Sequence, residues 1–100
     1  MIEKIIQATQ EAAEAATGKA TAALRRSAYQ AGWPGRAAAS LRVNFENNSW
    51  KVTGSSEAAD QEYGGPGRVP NAAVRRFRNH SKVVETAFLD DLATRLKGLL

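Results

Sequence analysis

The chain contains no cysteine, so disulfides and thiolate metal sites are excluded outright. Its one histidine, His80, has no second histidine or cysteine with which to build a zinc site. Between Asn79 and Ser81 at a helix junction, it reads as a capping or solvent-facing residue. No apolar run approaches membrane-spanning length, so no membrane partner is expected. Met1-Ile2-Glu3-Lys4 lacks a basic n-region followed by an apolar h-region, so no signal peptide is expected. The expected location is a cytoplasm, or a particle assembled there. Large side chains are scarce as well. Aromatic residues make up 7% of the chain, and much of its 43% apolar share is alanine, so few side chains carry the core. There are no internal repeats, and 100 residues suffice for one domain, 1–100.

Signatures of chemistry are missing too. No Gly-x-Ser-x-Gly elbow marks a nucleophile. Gly64-Gly65-Pro66-Gly67-Arg68 lacks the Gly-Lys-Ser/Thr ending of a P-loop, and Pro66 removes an amide that a phosphate cradle would use. Asp60 with Glu62, and Asp90 with Asp91, read as surface acids rather than catalytic pairs. No catalytic residue, cofactor or metal site is expected, and the chain does not read as an enzyme.

What is present is organised around Glu62-Tyr63-Gly64-Gly65-Pro66-Gly67-Arg68-Val69-Pro70. Three glycines and two prolines in nine residues exclude a helix interior or a central strand. This is a shaped loop, with Glu62 and Tyr63 at its entrance. Those two side chains are placed to lock the loop through bonds to its free amides.

Upstream, residues 2 to about 30 read as one long helix, rich in alanine and patterned at spacings of three and four. Gly18 marks a bend or a close contact within it. The large anchors sit at its ends: Ile2, Ile5 and Ile6 at one, Leu24 and Tyr29 at the other. The three isoleucines suggest contact with another subunit, or packing on the C-terminal helix. Gly32-Trp33-Pro34-Gly35 ends the helix, with Trp33 plugging the loop onto the core. Residues 40–55 alternate as a β-hairpin whose face of Leu41, Val43, Phe45, Trp50 and Val52 should lie on the long helix. A lone hairpin is marginal in water, so a further strand is expected from this chain or a neighbour. A turn leading into a short strand near Gln61–Tyr63 is the expectation for residues 56–63.

Downstream, Pro70 and Asn71 carry start signals for a short helix from Ala72 to about Asn79. Ser81 is placed to cap a final helix, Lys82 to Leu100. Its stripe is Val84, Ala87, Phe88, Leu92, Leu96 and Leu99, and its wet side Asp90, Asp91, Arg95 and Lys97. The expected class is α+β: a long N-terminal helix, an antiparallel hairpin or small sheet, a short basic helix and a C-terminal amphipathic helix.

The formal net charge is +4, unevenly placed. Arg68, Arg75, Arg76, Arg78 and Lys82 follow the loop with no acid among residues 68–82. Such a patch suits a DNA path or an acidic partner; a solvated helix face is the plainer alternative. Val74 and Phe77 are expected to tuck inward, leaving Arg75, Arg76 and Arg78 outside.

The order of these segments resembles the minor structural proteins of long-tailed bacteriophages: neck, head–tail joining, tail-completion and tail-terminator proteins. The resemblance is carried by the alanine-rich first helix running to Leu24-Arg25-Arg26-Ser27-Ala28, then Ser40-Leu41-Arg42-Val43 and Val52-Thr53-Gly54-Ser55. It continues through Ala58-Ala59, Glu62-Tyr63-Gly64-Gly65 and Pro70-Asn71-Ala72-Ala73-Val74-Arg75-Arg76-Phe77, covering nearly the whole length. Gly65 stands where a threonine often follows the glycine, and the loop to Pro70 is compact, so neck, terminator and connector branches all stay open. The resemblance implies a non-enzymatic homomeric ring, expected as a hexamer, at the head–tail junction of a virion assembled in the host cytoplasm. It would adjoin connector or head-completion and tail-tube proteins and surround the packaged DNA. The hairpin edges with Trp50, and the loop residues Glu62, Tyr63, Gly64, Gly65 and Pro70, are the expected subunit contacts. The alternative is a small DNA-binding protein contacting phosphates through residues 68–82.

Overall fold

The computed structural model of the chain describes residues 1–47, 49–67, 69–80 and 82–99, with all their side chains except those of Asn79, His80 and Val83. The expected cap at Ser81, the side chain of His80 and the whole of Arg68 lie outside the described residues. Seven elements follow in order: α1 (Ile2–Gln30), α2 (Gly35–Ala39), β1 (Arg42–Glu46), β2 (Ser49–Thr53), α3 (Ser56–Tyr63), α4 (Ala73–His80) and α5 (Val83–Leu99). The α+β class is as expected. The molecule measures 57 × 22 × 21 Å, and its radius of gyration of 15.8 Å exceeds the ~13 Å typical of 100 residues.

The length comes from α1, whose 29 residues span about 43 Å. Its buried residues are Ala8, Ala12, Ala13, Ala16, Ala20, Leu24 and Ala28, nearly all four apart. At about 100° per residue, each step of four drifts some 40°, so from Ala8 to Ala28 the row winds through roughly 200°. One row therefore serves two partners. Its N-terminal half meets α5, the most extensive helix contact in the molecule. Its C-terminal half (Ala20, Leu24, Ala28) meets the hairpin, α2 and Trp33. Alanine makes this possible, because a helix lined with methyl groups admits close neighbours along its whole length.

The end of α1 is fixed by Gly32, at φ 90°. Gly32 N–H donates to Tyr29 O and Trp33 N–H to Ala28 O, the paired bonds of a Schellman closure. That closure turns Trp33 under the helix end, where it is buried as expected. Tyr29, expected as a second anchor, is instead about half exposed. The short helix α2, which the residue pattern did not announce, supplies Ala37 and Ala38 to the same core. Of fifteen described apolar residues that are buried, eleven are alanine, so Trp33, Leu24, Leu41 and Val43 supply the bulk.

The hairpin pairs Val43 with Val52 and Phe45 with Trp50, residues expected to share one face, and Glu46 with Ser49, with Asn47 at φ 49° in the turn. The Phe45 and Trp50 rings meet tilted at 4.9 Å, and Trp50 meets Phe88 of α5 edge-on at 5.6 Å, so α5 touches the hairpin through Trp50. Among the described residues the sheet has two strands. The strand expected near Gln61–Tyr63 is the C-terminal turn of α3. Two end signals decide this: the Ser55 hydroxyl accepts the Ala58 amide at 3.2 Å, and Gly64, at φ 85°, closes the helix on Asp60 O at 2.9 Å. Local capping thus outweighed the alternation of Ala59, Gln61 and Tyr63.

On α5 the expected stripe faces inward, with Ala87 buried and Val84, Phe88, Leu92, Leu96 and Leu99 half-buried. Asp91 and Arg95, placed on the wet side, are partly buried instead. Arg95 bonds both Asp91 and Glu11, joining α5 to α1. The Asp91 hydrogen bond above all, then the charges of Asp91 and Glu11, raise the Arg95 pKa further above its ordinary value. A raised cation contributes stability below its unfolded pKa, so this link is intact throughout the neutral range.

Gly18 is exposed, and a Cβ there would meet nothing within 4 Å, so it marks no close contact. Gly18→Ala should stabilise the fold by roughly 0.5–1 kcal/mol, measured as a higher urea midpoint with unchanged slope. A loss of stability would show that the site has a tertiary role.

Candidate functional site

Helix α4 begins with Ala72 at its N-cap, a residue with no side-chain acceptor for the first free amides. Glu62, from the last turn of α3, supplies the acceptor. Its carboxylate takes the Val74 amide at 2.8 Å, and the Arg75 amide and Arg75 Nε at 3.0 Å each. Arg75 returns a bond from Nη2 to the Glu62 carbonyl oxygen at 2.8 Å. Glu62 is only 3% exposed, so this is a tertiary helix cap joined to an ion pair whose carboxylate is desolvated and whose guanidinium is half exposed. Tyr63 lies on the other side of Arg75, its ring centroid 5.4 Å from the guanidinium carbon.

The acid–aromatic pair therefore locks the helix beyond the Gly64–Pro70 loop, and among the described residues it bonds no amide of the loop itself. Glu62 is used up within the chain. Tyr63, 68% exposed, is the one of the pair open to a partner. Gly64 and Gly65 are half-buried and Pro70 is exposed.

Asn71 is the residue that sequence reasoning undervalued, since its position carries only a start signal. Its amide donates to Gln61 O at 2.7 Å and its side chain to Ala31 O at 2.8 Å, while its carbonyl accepts the Trp33 indole N–H at 2.8 Å. One asparagine thus ties the end of α1 to α3 and fixes Trp33. An asparagine between a proline and an alanine pair hints at a turn, but its partners are 38 and 40 residues away and leave no local trace.

The basic segment divides. Arg75 is held by Glu62, whereas Arg76 and Arg78 are exposed on α4 and receive no ion pair from a described residue; Lys82 is exposed just beyond. Val74 and Phe77 do turn inward, half-buried against the core. Trp50 is half-buried too, with its indole nitrogen enclosed and unpartnered among the described residues. It lines an open apolar groove of about 660 Å³ with Val52, Phe77, Val84, Phe88 and Leu89, bordered by Arg78, Lys82 and Glu85.

The hairpin edges are unequal. Thr21 Oγ1 accepts the Val43 amide at 2.9 Å and Arg25 Nε reaches Leu41 O at 2.9 Å, so α1 partly covers the β1 edge. Because Val43 turns its amide outward, the alternation of the ladder turns Trp50 and Val52 outward on β2. No described residue bonds those groups, so β2 is the open edge. At the far end of α1, Ile2 is 74%, Ile5 42% and Ile6 53% exposed, so they do not find cover on α5.

No group of three or more potential metal ligands converges among the described residues, and no helix there is long and apolar enough to cross a membrane. Comparison with family models, curated proteins and solved structures finds no match to this chain.

Glu62→Ala should cost roughly 2–4 kcal/mol, since it orphans two amides and strips the partner from Arg75, itself half exposed. By hydrogen exchange, the Val74 and Arg75 amides should lose protection first. Equal loss across α1 would mean that Glu62 acts on the whole fold rather than on α4.

Proposed function

We propose that the chain is a non-enzymatic structural protein of a tailed-phage virion that assembles as a homomeric ring, of about six copies, at the head–tail junction around the DNA path. The observation that carries assembly is the uneven closure of the subunit. An unpaired β2 edge and an apolar groove lie at one place, and three exposed isoleucines at another. Monomers seldom leave such features uncovered, whereas subunits of a closed ring bury them in neighbours. The phage assignment rests on the order of segments along the chain, from the alanine-rich helix through Glu62-Tyr63-Gly64-Gly65 to the proline-led basic helix. In this reading the ring adjoins connector or head-completion protein on one side and tail tube on the other. Arg76, Arg78 and Lys82 face the DNA or an acidic neighbour.

A second reading takes the same cations as the whole function: a small protein that holds DNA phosphates without regard to sequence. Their exposure on one short helix and just beyond it favours this alternative.

Light scattering across concentration and salt separates the two. The ring reading expects a discrete multimer of about six subunits, weakened by Tyr63→Ala, whose side chain is exposed. A monomer whose DNA affinity falls steeply with salt, with the slope reduced by about 0.9 for each of Arg76→Ala and Arg78→Ala, would displace it.

A further inference from the structure

We infer that the pocket between α1 and the β1 edge binds a hydroxylated phosphate ester, the chemistry of a sugar phosphate, with its anion on Arg25 and Arg42. The pocket has a volume of about 300 Å³, at the lower end of the ~300–1,000 Å³ of ligand sites. It shares Val43 with the apolar groove, but Arg42 and Asn44, alternating with Val43 along the strand, leave the hairpin on the opposite face.

The charges point to an anion. Arg25 and Arg42 both line the pocket, and neither receives an ion pair from a described residue, whereas Arg36, Lys51, Arg75 and Arg95 each meet an acid. No acid lines the pocket among the described residues. Guanidinium groups stay charged at neutral pH, so two of them in one pocket repel, and an anion between them removes that cost. Arg25 is also held in place. Its Nε donates to Leu41 O at 2.9 Å, and its two terminal nitrogens stay free among the described residues. A guanidinium already fixed loses less freedom on binding, and its fork matches two phosphate oxygens at once.

Gly18 lies on the same wall. It weakens a helix otherwise rich in good formers, and a Cβ there would meet nothing of the chain within 4 Å. Packing gives no reason for it, whereas bare backbone lets a ligand come close. Arg25 bonds Leu41 beside Arg42, and Thr21 bonds Val43, so β1 runs back along α1 and Thr17, Gly18 and Asn44 form the other end. From Thr17 to Arg25 is about 12 Å of helix, longer than a phosphate group alone. Thr17 Oγ1 already donates to Glu14 O, and Asn44 Nδ2 to Thr53 Oγ1. What these two side chains keep for a ligand is acceptor oxygens, which hydroxyl groups would meet.

Titration of the isotope-labelled protein with ribose 5-phosphate tests the site. The amide signals of residues 17–21 and 42–44 should shift, and inorganic phosphate should need a higher concentration to do the same. Arg42→Ala, at an exposed position, should weaken binding about tenfold. Gly18→Leu should fill the neutral end and abolish binding while raising the urea midpoint, since leucine is the better helix former. Binding lost while stability is gained is an outcome that a merely structural glycine would not give. Equal binding of inorganic phosphate and ribose 5-phosphate, untouched by Gly18→Leu, would mean an adventitious ion only and overturn the site. Shifts confined to Arg76, Arg78 and Lys82, or no shift at all, would overturn it too. A DNA duplex that shifts residues 17–21 and 42–44 where ribose 5-phosphate does not would overturn it in favour of backbone binding. None of these outcomes depends on assembly, so the ring reading is judged separately by light scattering.

Discussion

Close approach along α1 is the constraint on which the rest of the molecule depends. A helix whose buried row is almost all alanine gains little from any one side chain, since a methyl group removes little apolar area from water. Its contribution comes from continuity. Small residues let α5 and the hairpin lie close to the helix, so that backbone and side-chain stems pack where large residues would hold them apart. The fourfold spacing matters as much as the composition. Its drift turns one stripe toward α5 and then toward the hairpin, and a strict heptad stripe would have faced a single partner.

Where alanine cannot supply specificity, three polar devices do. The Schellman closure at Gly32 sends Trp33 under the helix end, and Asn71 fixes Trp33 there by its carbonyl. Glu62 then caps α4, a helix that does not cap itself, and holds Arg75 in the same act. All three lie at the joints between elements, and each joins segments that the apolar contacts alone would leave free to slide. The basic helix is oriented by this joint: Arg75, though half exposed, is held by Glu62, while Arg76 and Arg78 are exposed and receive no ion pair from a described residue.

The elements written in local pattern were legible: the long first helix, the hairpin and its apolar face, the closing helix and the inward turn of Val74 and Phe77. Residues 56–63 were not, because alternation and helical propensity both fit eight residues. The deciding bonds, Ser55 to Ala58 and Gly64 to Asp60, depend on backbone angles rather than on pattern. The candidate site was legible by location and not by mechanism. Glu62 and Tyr63 stood out beside their glycines, yet the partner of Glu62 is thirteen residues on in α4. Asn71 was nearly invisible, and so was the division of the arginines, since which cation is neutralised depends on a contact across the loop. The Glu11–Arg95 link belongs to the same class: residues that read as solvated surface from either helix alone.

The pairing of α1 with α5 has a consequence for the order in which the chain can become stable. Glu11 and Arg95 are 84 residues apart, and the alanine half of α1 has no other described element of comparable contact. During synthesis the segment from Glu3 to Ala16 emerges first and its cover last. It has little on its surface to hold a partner in the interval: alanine offers a nascent helix no adhesive face, and the isoleucines sit at one tip. The C-terminal half of α1 can meanwhile gather the hairpin, α2 and Trp33 into a core of their own. A ribosome-bound chain would thus carry a folded head on a bare helical stalk until α5 is made, with the alanine row of that stalk offering little to premature partners and its isoleucine tip the main exposed apolar surface.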